Sequence, residues 1–284
     1  MSVGDILEST NNKSKISSDF VFSFKGKLPA FIISDINNSA STAAARRVIK
    51  SIADTNSKLM PFIIPATTPA TIDNDLKDFN KSRSVWTYPL PNQKRIDLAT
   101  GLHLTGYNAK DVDKVIACAV SHMRCWLLCA SQRFPIVVLE HDALFVRKVD
   151  FFKDIVGSLE GYYSEILDLG IVGLNNPRGA TRKSSIYFDH VTKFQGEVAR
   201  KVFDGYAIVD APWVDKDRYT PQGIAGNSAY MITPAMAMRL LKKVDEIGLW
   251  PNDALMCKQL FPNQLKQIYP FVTELQGIKS TTTG

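Results

Sequence analysis

The sequence lacks the cysteine pattern of a disulfide-stabilised secreted protein. Its 284 residues include four cysteines, at 118, 125, 129 and 257, with no close-paired spacing. Small secreted domains that depend on disulfides are much richer in cysteine. We therefore expect free thiols, three of which lie on one predicted helix.

Three of these cysteines and His122 recur at helical spacing, which raises the question of a metal site formed by one helix. At a rise of roughly 1.5 Å per residue, the stripe from Cys118 to Cys129 is more than ~16 Å long. A single tetrahedral ion needs all its ligands within about 2.3 Å of its centre. We therefore interpret the cysteines as packing residues of a core helix and His122 as a hydrogen-bonded packing residue.

The sequence also lacks long apolar runs. A bilayer-spanning helix needs roughly 20 apolar residues, and no run approaches that length. The stretch MSVGDILESTNNKSK at the start lacks the apolar core of a signal peptide. These absences predict a cytoplasmic protein without a transmembrane segment. Residues 1–28 are polar and mixed in charge, so we interpret them as an N-terminal lead to a single domain, 29–284. The composition, 45% hydrophobic and 22% charged, is that of a globular protein.

The excess of positive charge is modest. The chain has 34 basic and 28 acidic residues, a net charge of +6, which suits an anionic ligand or partner without requiring one. The loop NNPRGATRKSS at 175–185 concentrates three basic residues. It is either an acceptor-side or phosphate-contacting arm, or a solvated surface loop.

The first part of the domain predicts a β-α-β unit. Apolar runs at 28–36 and 60–66 flank a polar turn and a helix at 43–53. Such units are right-handed in nearly all cases, and ligands collect at the carboxyl ends of their strands. The stretch 67–110 is predicted to be irregular, with short helices, because prolines interrupt it.

This unit supplies candidate nucleotide contacts. Ser34 and Asp35 follow the first strand, and Arg46 on the helix is close enough to reach a phosphate. The alternative for Arg46 and Arg47 is that both are ordinary solvated helix positions.

The centre of the chain predicts a long amphipathic helix, 112–132, followed by a buried strand, 136–139. The strand leads directly into Glu140, His141 and Asp142. If the chain stays extended, the two carboxylates point to one side. Neighbouring acids repel each other, so a cation would explain the pair, and oxygen ligands favour magnesium or manganese. As a bare pattern, acid-x-acid is weak, but its place after a buried strand strengthens it.

The segment IACAVSHMRCWLLCASQRFPIVVLEHDALF at 116–145 resembles glycosyltransferase family 25, the lipooligosaccharide and collagen galactosyltransferase relatives. That family combines a small-residue helix containing Ser-His with an apolar strand ending in Glu-Asp-Asp. Similar matches occur, in the right order, at 31–50, 226–241, 250–256 and 270–281. Two departures stand out: His141 replaces the middle acid, and Asn252 replaces an acid beside Asp253.

The resemblance implies an α/β fold of the GT-A type, with a Rossmann-like mixed central sheet and flanking helices. It implies transfer of a sugar from a nucleotide diphosphate sugar to an acceptor hydroxyl, with inversion at the anomeric carbon. Mn²⁺ or Mg²⁺ would be held by Asp142, with Glu140 binding metal or ribose, and Asp253 would be the catalytic base. The same resemblance suggests that Tyr230 lines the sugar pocket and that Lys279 and Ser280 contact the diphosphate.

The acceptor is left open between two anionic classes. The resemblance suggests a saccharide of the lipopolysaccharide type, whereas the positive charge and the 175–185 loop would suit DNA carrying a hydroxymethylated base. In a duplex, such a base would have to be extruded into the pocket. Two alternatives come from other classes: a metal-dependent phosphohydrolase of nucleotide diphosphates, and a non-catalytic nucleic-acid-binding protein.

Overall fold

A computed structural model describes residues 27–132, 134–150, 169–175, 206–211, 218–224 and 226–277. The strands are β1 Leu28–Ser34, β2 Leu59–Pro65, β3 Lys94–Ile96, β4 His103–Thr105, β5 Ile136–Glu140, β6 Ala143–Phe145, β7 Ile171–Gly173, β8 Ala207–Asp210, β9 Ala229–Ile232, β10 Leu265–Tyr269 and β11 Thr273–Leu275. The helices are α1 Ser39–Asp54, α2 Ile72–Lys77, α3 Val112–Ala130, α4 Pro234–Ile247 and α5 Asn252–Leu255, with a 3₁₀ helix at Arg83–Val85.

Seven of these strands form a mixed central sheet in the order β2-β1-β5-β9-β7-β10-β8. Strand β1 is parallel to both β2 and β5, whereas β9 runs antiparallel to its neighbours β5 and β7. Two smaller antiparallel pairs, β3–β4 and β6–β11, lie outside it. The predicted fold class, α/β with a Rossmann-like mixed sheet and flanking helices, is confirmed.

The core lies on both faces of this sheet because the side chains of β5 alternate between them. Val138 packs in the cluster that includes α3 and α4, and Val137 packs in the cluster that includes α1. Burial on both faces is what the unbroken apolar run predicts. The sheet is thus packed between helices, and the carboxyl end of its central strand β5 is held in place by both layers.

The predicted β-α-β unit is present, with a different helix start. Helix α1 begins at Ser39 rather than at residue 43 because Asn38 caps it: the Asn38 side chain accepts hydrogen bonds from the amides of Ala40 and Ser41. Helix α3 begins at the predicted residue and ends at Ala130, two residues before the predicted end, and Asp111 caps it by accepting from the Asp113 amide. The hairpin β3–β4 lies in the stretch that was predicted to be irregular, so that prediction was incomplete.

No helix within the described ranges is both long enough and apolar enough to cross a bilayer. The cytoplasmic location stays a prediction. The predicted domain start at residue 29 falls one residue after the beginning of β1, and residues 1–26 lie outside the described ranges.

Candidate active site

The chain turns immediately after Glu140. Strand β5 ends at this residue, and a turn at 141–142 leads into β6. The condition that would align Glu140 and Asp142 on one side, an extended chain through residue 142, is therefore not met. The Glu140 side chain is partly exposed and Asp142 is largely buried. Their sharing of one cation stays a prediction.

The carboxylate of Glu140 is connected to the core by a series of polar contacts. Its Oε1 lies 3.4 Å from Nε2 of His122, a buried residue of α3. The other ring nitrogen of His122 lies 2.9 Å from the hydroxyl of Tyr230, which also accepts a 2.9 Å hydrogen bond from the Trp126 indole. His122 is thus hydrogen-bonded, as predicted, and it also positions Glu140, which the sequence did not indicate.

Tyr230 lies behind the site, fully buried within β9. Burial raises the pKa of Tyr230 well above its ordinary value, so the phenol stays protonated. The prediction that Tyr230 lines the sugar pocket is untested, and its burial favours a supporting role instead.

We expect Tyr230→Phe to destabilise the protein. Loss of the hydroxyl leaves the Trp126 indole N–H and the His122 ring nitrogen without this partner, and an unsatisfied buried polar group costs about 1–3 kcal/mol. Urea unfolding measures the change. The matched control is Tyr219→Phe, because the Tyr219 side chain is exposed and should change stability by less than about 0.5 kcal/mol. Equal effects of the two substitutions would contradict the assignment.

A second set of candidate metal ligands is centred on Glu140. The Cys118 thiol, the His122 ring and the Glu140 carboxylate offer ligand atoms that all lie within 4.8 Å of one another. Cys118 and His122 meet because residues four apart share one helix face. Asp142 is not part of this group in the described residues. The site therefore offers a mixed sulfur, nitrogen and oxygen set beside the oxygen pair predicted from the sequence.

The other two cysteines of the helical stripe do not contribute ligands here. Cys125 and Cys129 are completely buried free thiols. Burial raises the pKa of Cys125 to about 12 and also raises that of Cys129, so both stay protonated. The interpretation of these cysteines as core packing residues is confirmed.

The predicted base, Asp253, lies in the short helix α5 and accepts a hydrogen bond from the hydroxyl of Tyr107. Its neighbour Asn252 approaches α3, where the Cys118 sulfur lies 4.0 Å from the Asn252 Oδ1. Cys118 in turn belongs to the group around Glu140. The structure thus brings the predicted base and the predicted metal-binding carboxylate into one region.

Aromatic side chains surround Asp253. Tyr88 makes ring contacts with Tyr107 and Trp250, with centroids 5.7 and 5.8 Å apart. Burial, and secondly the charge of Asp253, raises the pKa of both Tyr88 and Tyr107. Tyr107 therefore remains a hydrogen-bond donor. No sequence pattern indicated this role of Tyr107, because the residue lies in the stretch predicted to be irregular.

Two of the predicted nucleotide contacts lie at the same sheet edge. Ile33 pairs with Glu140, so Ser34 and Asp35 directly follow that level of the sheet. Ser34 is fully buried, and its hydroxyl lies 3.1 Å from that of Ser41. Asp35 is partly exposed and, with Glu140, partly offsets the burial that lowers the pKa of His141.

The same Ser41 hydroxyl accepts a 3.0 Å hydrogen bond from the Asp35 amide. Arg46 is exposed on α1. Asp35 and Arg46 therefore remain accessible candidates for donor binding, whereas the contacts of Ser34 shape the turn.

Gln276 fixes the turn that follows Glu140. Its amide N–H donates to the carbonyl of Asp142 at 2.8 Å, and its side-chain Nε2 lies 3.1 Å from the carbonyls of residues 141 and 143 and of Ala44. Arg47 donates to the Gln276 Oε1 at 2.6 Å. Because Arg47 can only donate and the carbonyls can only accept, the amide faces Arg47 with its oxygen and the three carbonyls with its nitrogen, whose two N–H groups they share.

Comparison with known proteins assigns the family. A family model described as glycosyltransferase family 25 (LPS biosynthesis protein) matches residues 43–256, well over half of the chain. The chain belongs to glycosyltransferase family 25. The resemblance inferred from the Ser-His helix and the Glu-His-Asp turn is confirmed.

Among solved structures, the chain is similar to the apo form of mouse xyloside xylosyltransferase 1. The identity is 8% and the TM-score 0.34, and the alignment covers 84% of this chain and 83% of that chain. No curated protein sequence matches the chain.

As a family 25 glycosyltransferase, the protein uses a nucleotide sugar as donor. The family match includes α3, the turn after Glu140, Tyr230 and Asp253. Ser34 and Asp35 precede it, and Gln276 follows it. Lys279 and Ser280, predicted to contact the diphosphate, lie outside the described residues, as do residues 176–185 of the basic loop.

Proposed function

We propose that this glycosyltransferase moves a sugar from a nucleotide diphosphate sugar to a hydroxyl of a lipopolysaccharide-type saccharide, with inversion. Glu140 and Asp142 would hold Mn²⁺ or Mg²⁺, and Asp253 would be the base. The observation that carries the proposal is the contact series from Glu140 through His122, Cys118 and Asn252 to Asp253.

The carboxylates suit this task by chemistry and position. Glu140 lies at the carboxyl end of a central strand, where α/β sheets bind their ligands. A divalent cation bound there would offset the charge of the departing diphosphate. His122 orients the Glu140 carboxylate, and Gln276 holds the backbone that carries Asp142. We retain Asp35 and Arg46 as contacts of the nucleotide sugar. Lys279 and Ser280, in the last matching stretch at 270–281, are retained as contacts of its diphosphate.

Asp253 would remove the proton of the acceptor hydroxyl as that oxygen attacks the anomeric carbon. An attack on the face opposite the leaving diphosphate inverts the configuration. The Tyr107 hydroxyl donates to one oxygen of the Asp253 carboxylate and so orients that side chain. The protonated state of Tyr107 keeps this orientation fixed.

The saccharide acceptor follows from the family description, whereas a hydroxymethylated DNA base rests on the net charge of +6. DNA therefore remains the second candidate acceptor. The phosphohydrolase and the non-catalytic nucleic-acid-binding protein gain no support from the family.

The test is a panel of nucleotide sugars with manganese, offered with an oligosaccharide or with hydroxymethylated DNA. We expect a mass gain of one sugar on the oligosaccharide, and release of the nucleotide diphosphate in equal amount. Cleavage of the donor to a nucleoside monophosphate and a sugar phosphate, at the same rate with and without acceptor, would instead indicate a phosphohydrolase. A mass gain on DNA alone would replace the saccharide as acceptor.

A further inference from the structure

A group of exposed apolar side chains lies outside the proposed active site. Among the described residues, several exposed large apolar side chains lie on or beside the hairpin β3–β4: Leu98 is 96% exposed, Tyr219 61%, Ile96 56% and Leu90 47%. We call these four residues the hairpin surface. Single exposed apolar residues are ordinary, but a group of them marks an interaction site.

The four residues are linked by contacts of the hairpin. The His103 amide, at the start of β4, donates to the Tyr219 carbonyl at 2.7 Å, and the two rings stack with centroids 5.2 Å apart. The Leu90 carbonyl accepts from the Gln93 amide, just before β3. Ile96 and Leu98 belong to the end of the hairpin itself. Because Ile96 lies opposite His103 across the hairpin, the side chains of Ile96, His103 and Tyr219 share one face, and Leu98 follows in the turn.

The tip of the hairpin is held by hydrogen bonds. The Asp97 carboxylate accepts from the amide and the hydroxyl of Thr100 at 2.9 and 2.8 Å. The Asp97 amide donates to the Leu102 carbonyl at 2.8 Å, and the Gly101 amide donates to the Asp97 carbonyl at 2.7 Å. Leu98 is therefore held out in solvent by an ordered turn. A leucine in this position gains free energy only when a partner removes it from water.

In the part of the chain that the structure describes, the exposed charges next to Ile96 and Tyr219 are positive. Lys94 is exposed on the same face of β3 as Ile96, and Arg218 is exposed next to Tyr219. Arg95 points to the other face, where it donates to the Thr87 carbonyl and lies 4.0 Å from the Asp97 carboxylate. Asp97 is the one acid between residues 90 and 105, and it is buried. Aliphatic side chains with flanking cations suit a bilayer that contains anionic lipids, because the acyl region accepts the former and the headgroups attract the latter. A free saccharide would offer no apolar region for Leu98.

We propose that this hairpin docks the protein on an anionic membrane surface, with Ile96 and Leu98 inserted among the lipids. The position of the hairpin adds a link to the chemistry. After β4 the chain continues through Gly106 to Tyr107, which contacts Asp253. A lipid-linked acceptor in the same membrane would therefore be presented beside the base, a consequence that rests on the proposed function.

The experiment is co-sedimentation of the full chain with vesicles of phosphatidylcholine, with and without phosphatidylglycerol. Wild-type protein should bind the anionic vesicles, and added salt should weaken the binding. Leu98→Ser should lower the partition constant by roughly tenfold. Lys94→Gln should lower it by about fivefold, on the anionic vesicles only.

The matched controls are on α4. Met238 is 54% exposed and Lys242 is exposed, so Met238→Ser and Lys242→Gln should leave vesicle binding unchanged. No binding by the wild type, or equal losses for Leu98→Ser and Met238→Ser, would overturn the proposal. A Leu98→Ser protein that loses self-association instead, seen by size-exclusion chromatography, would assign the surface to a contact between copies and would also overturn it.

Transfer to a soluble acceptor, measured in parallel, separates this proposal from the proposed function. Leu98→Ser should transfer sugar to a soluble oligosaccharide at the wild-type rate, because the Leu98 side chain is 96% exposed and has no part in the contacts described for Glu140, Asp142 and Asp253. If no variant transfers sugar but vesicle binding still depends on Leu98, the docking proposal stands and the proposed function fails.

Discussion

Asp253→Asn is expected to lower kcat for sugar transfer by about 10²–10⁴-fold, the usual contribution of a general base. Asparagine keeps an oxygen that can accept the Tyr107 hydrogen bond, so the fold around α5 should survive. It cannot take a proton from the acceptor hydroxyl at neutral pH. Steady-state kinetics with saturating donor measure the effect, and donor affinity by calorimetry should stay within about twofold of wild type.

Two controls accompany this substitution. Asp245→Asn changes an exposed aspartate that forms an ion pair with Lys81, and it should leave kcat unchanged. Tyr107→Phe removes the donor that orients Asp253 and should lower kcat less than Asp253→Asn does. An Asp253→Asn enzyme with wild-type kcat would show that another group takes the proton.

Loss of a metal-binding carboxylate is expected to have the second large effect. Asp142→Asn and Glu140→Gln should each raise the manganese concentration for half-maximal activity by at least about tenfold, since even outer-shell partners of a metal contribute 10–100-fold in affinity. Metal titration of the transfer rate measures the manganese concentration for half-maximal activity, and electron paramagnetic resonance of manganese measures the binding of the ion.

Cys118→Ser tests which ligand set holds the ion. Manganese prefers oxygen over a thiolate, so this substitution should leave the manganese requirement unchanged. The opposite pattern, in which Cys118→Ser abolishes metal binding and Asp142→Asn preserves it, would place the ion among Cys118, His122 and Glu140. In that case the oxygen pair inferred from the acid-x-acid pattern would be the wrong assignment.

The sequence predicted the elements with strong hydrophobic periodicity. The start of α3 and the path of β5 follow from a 3.6-residue pattern and an unbroken apolar run. The start of α1 was missed because the polar residues before its first apolar position already form a capped helical turn at Asn38. The hairpin β3–β4 was missed because its strands have three residues each, too few to establish an alternation.

The candidate site was harder to predict, because its contacts join distant parts of the chain. The acid-bearing turn and Asp253 were identified through motifs. No local pattern shows that Cys118 lies between them, or that Tyr107 donates to Asp253. Gln276 was also missed, since a neutral side chain that binds backbone carbonyls leaves no signature in spacing or charge.

The role of Gln276 has a consequence for the order of synthesis. The carbonyls next to Glu140 receive their donor from a residue about 135 positions later in the chain. A ribosome-bound chain that has produced β1, β2, β5 and β9 can assemble the middle of the sheet, yet its acidic turn still lacks this support. The chain should therefore become able to transfer a sugar only after Gln276 has been synthesised. Chains terminated before this residue would lack transferase activity even where they fold.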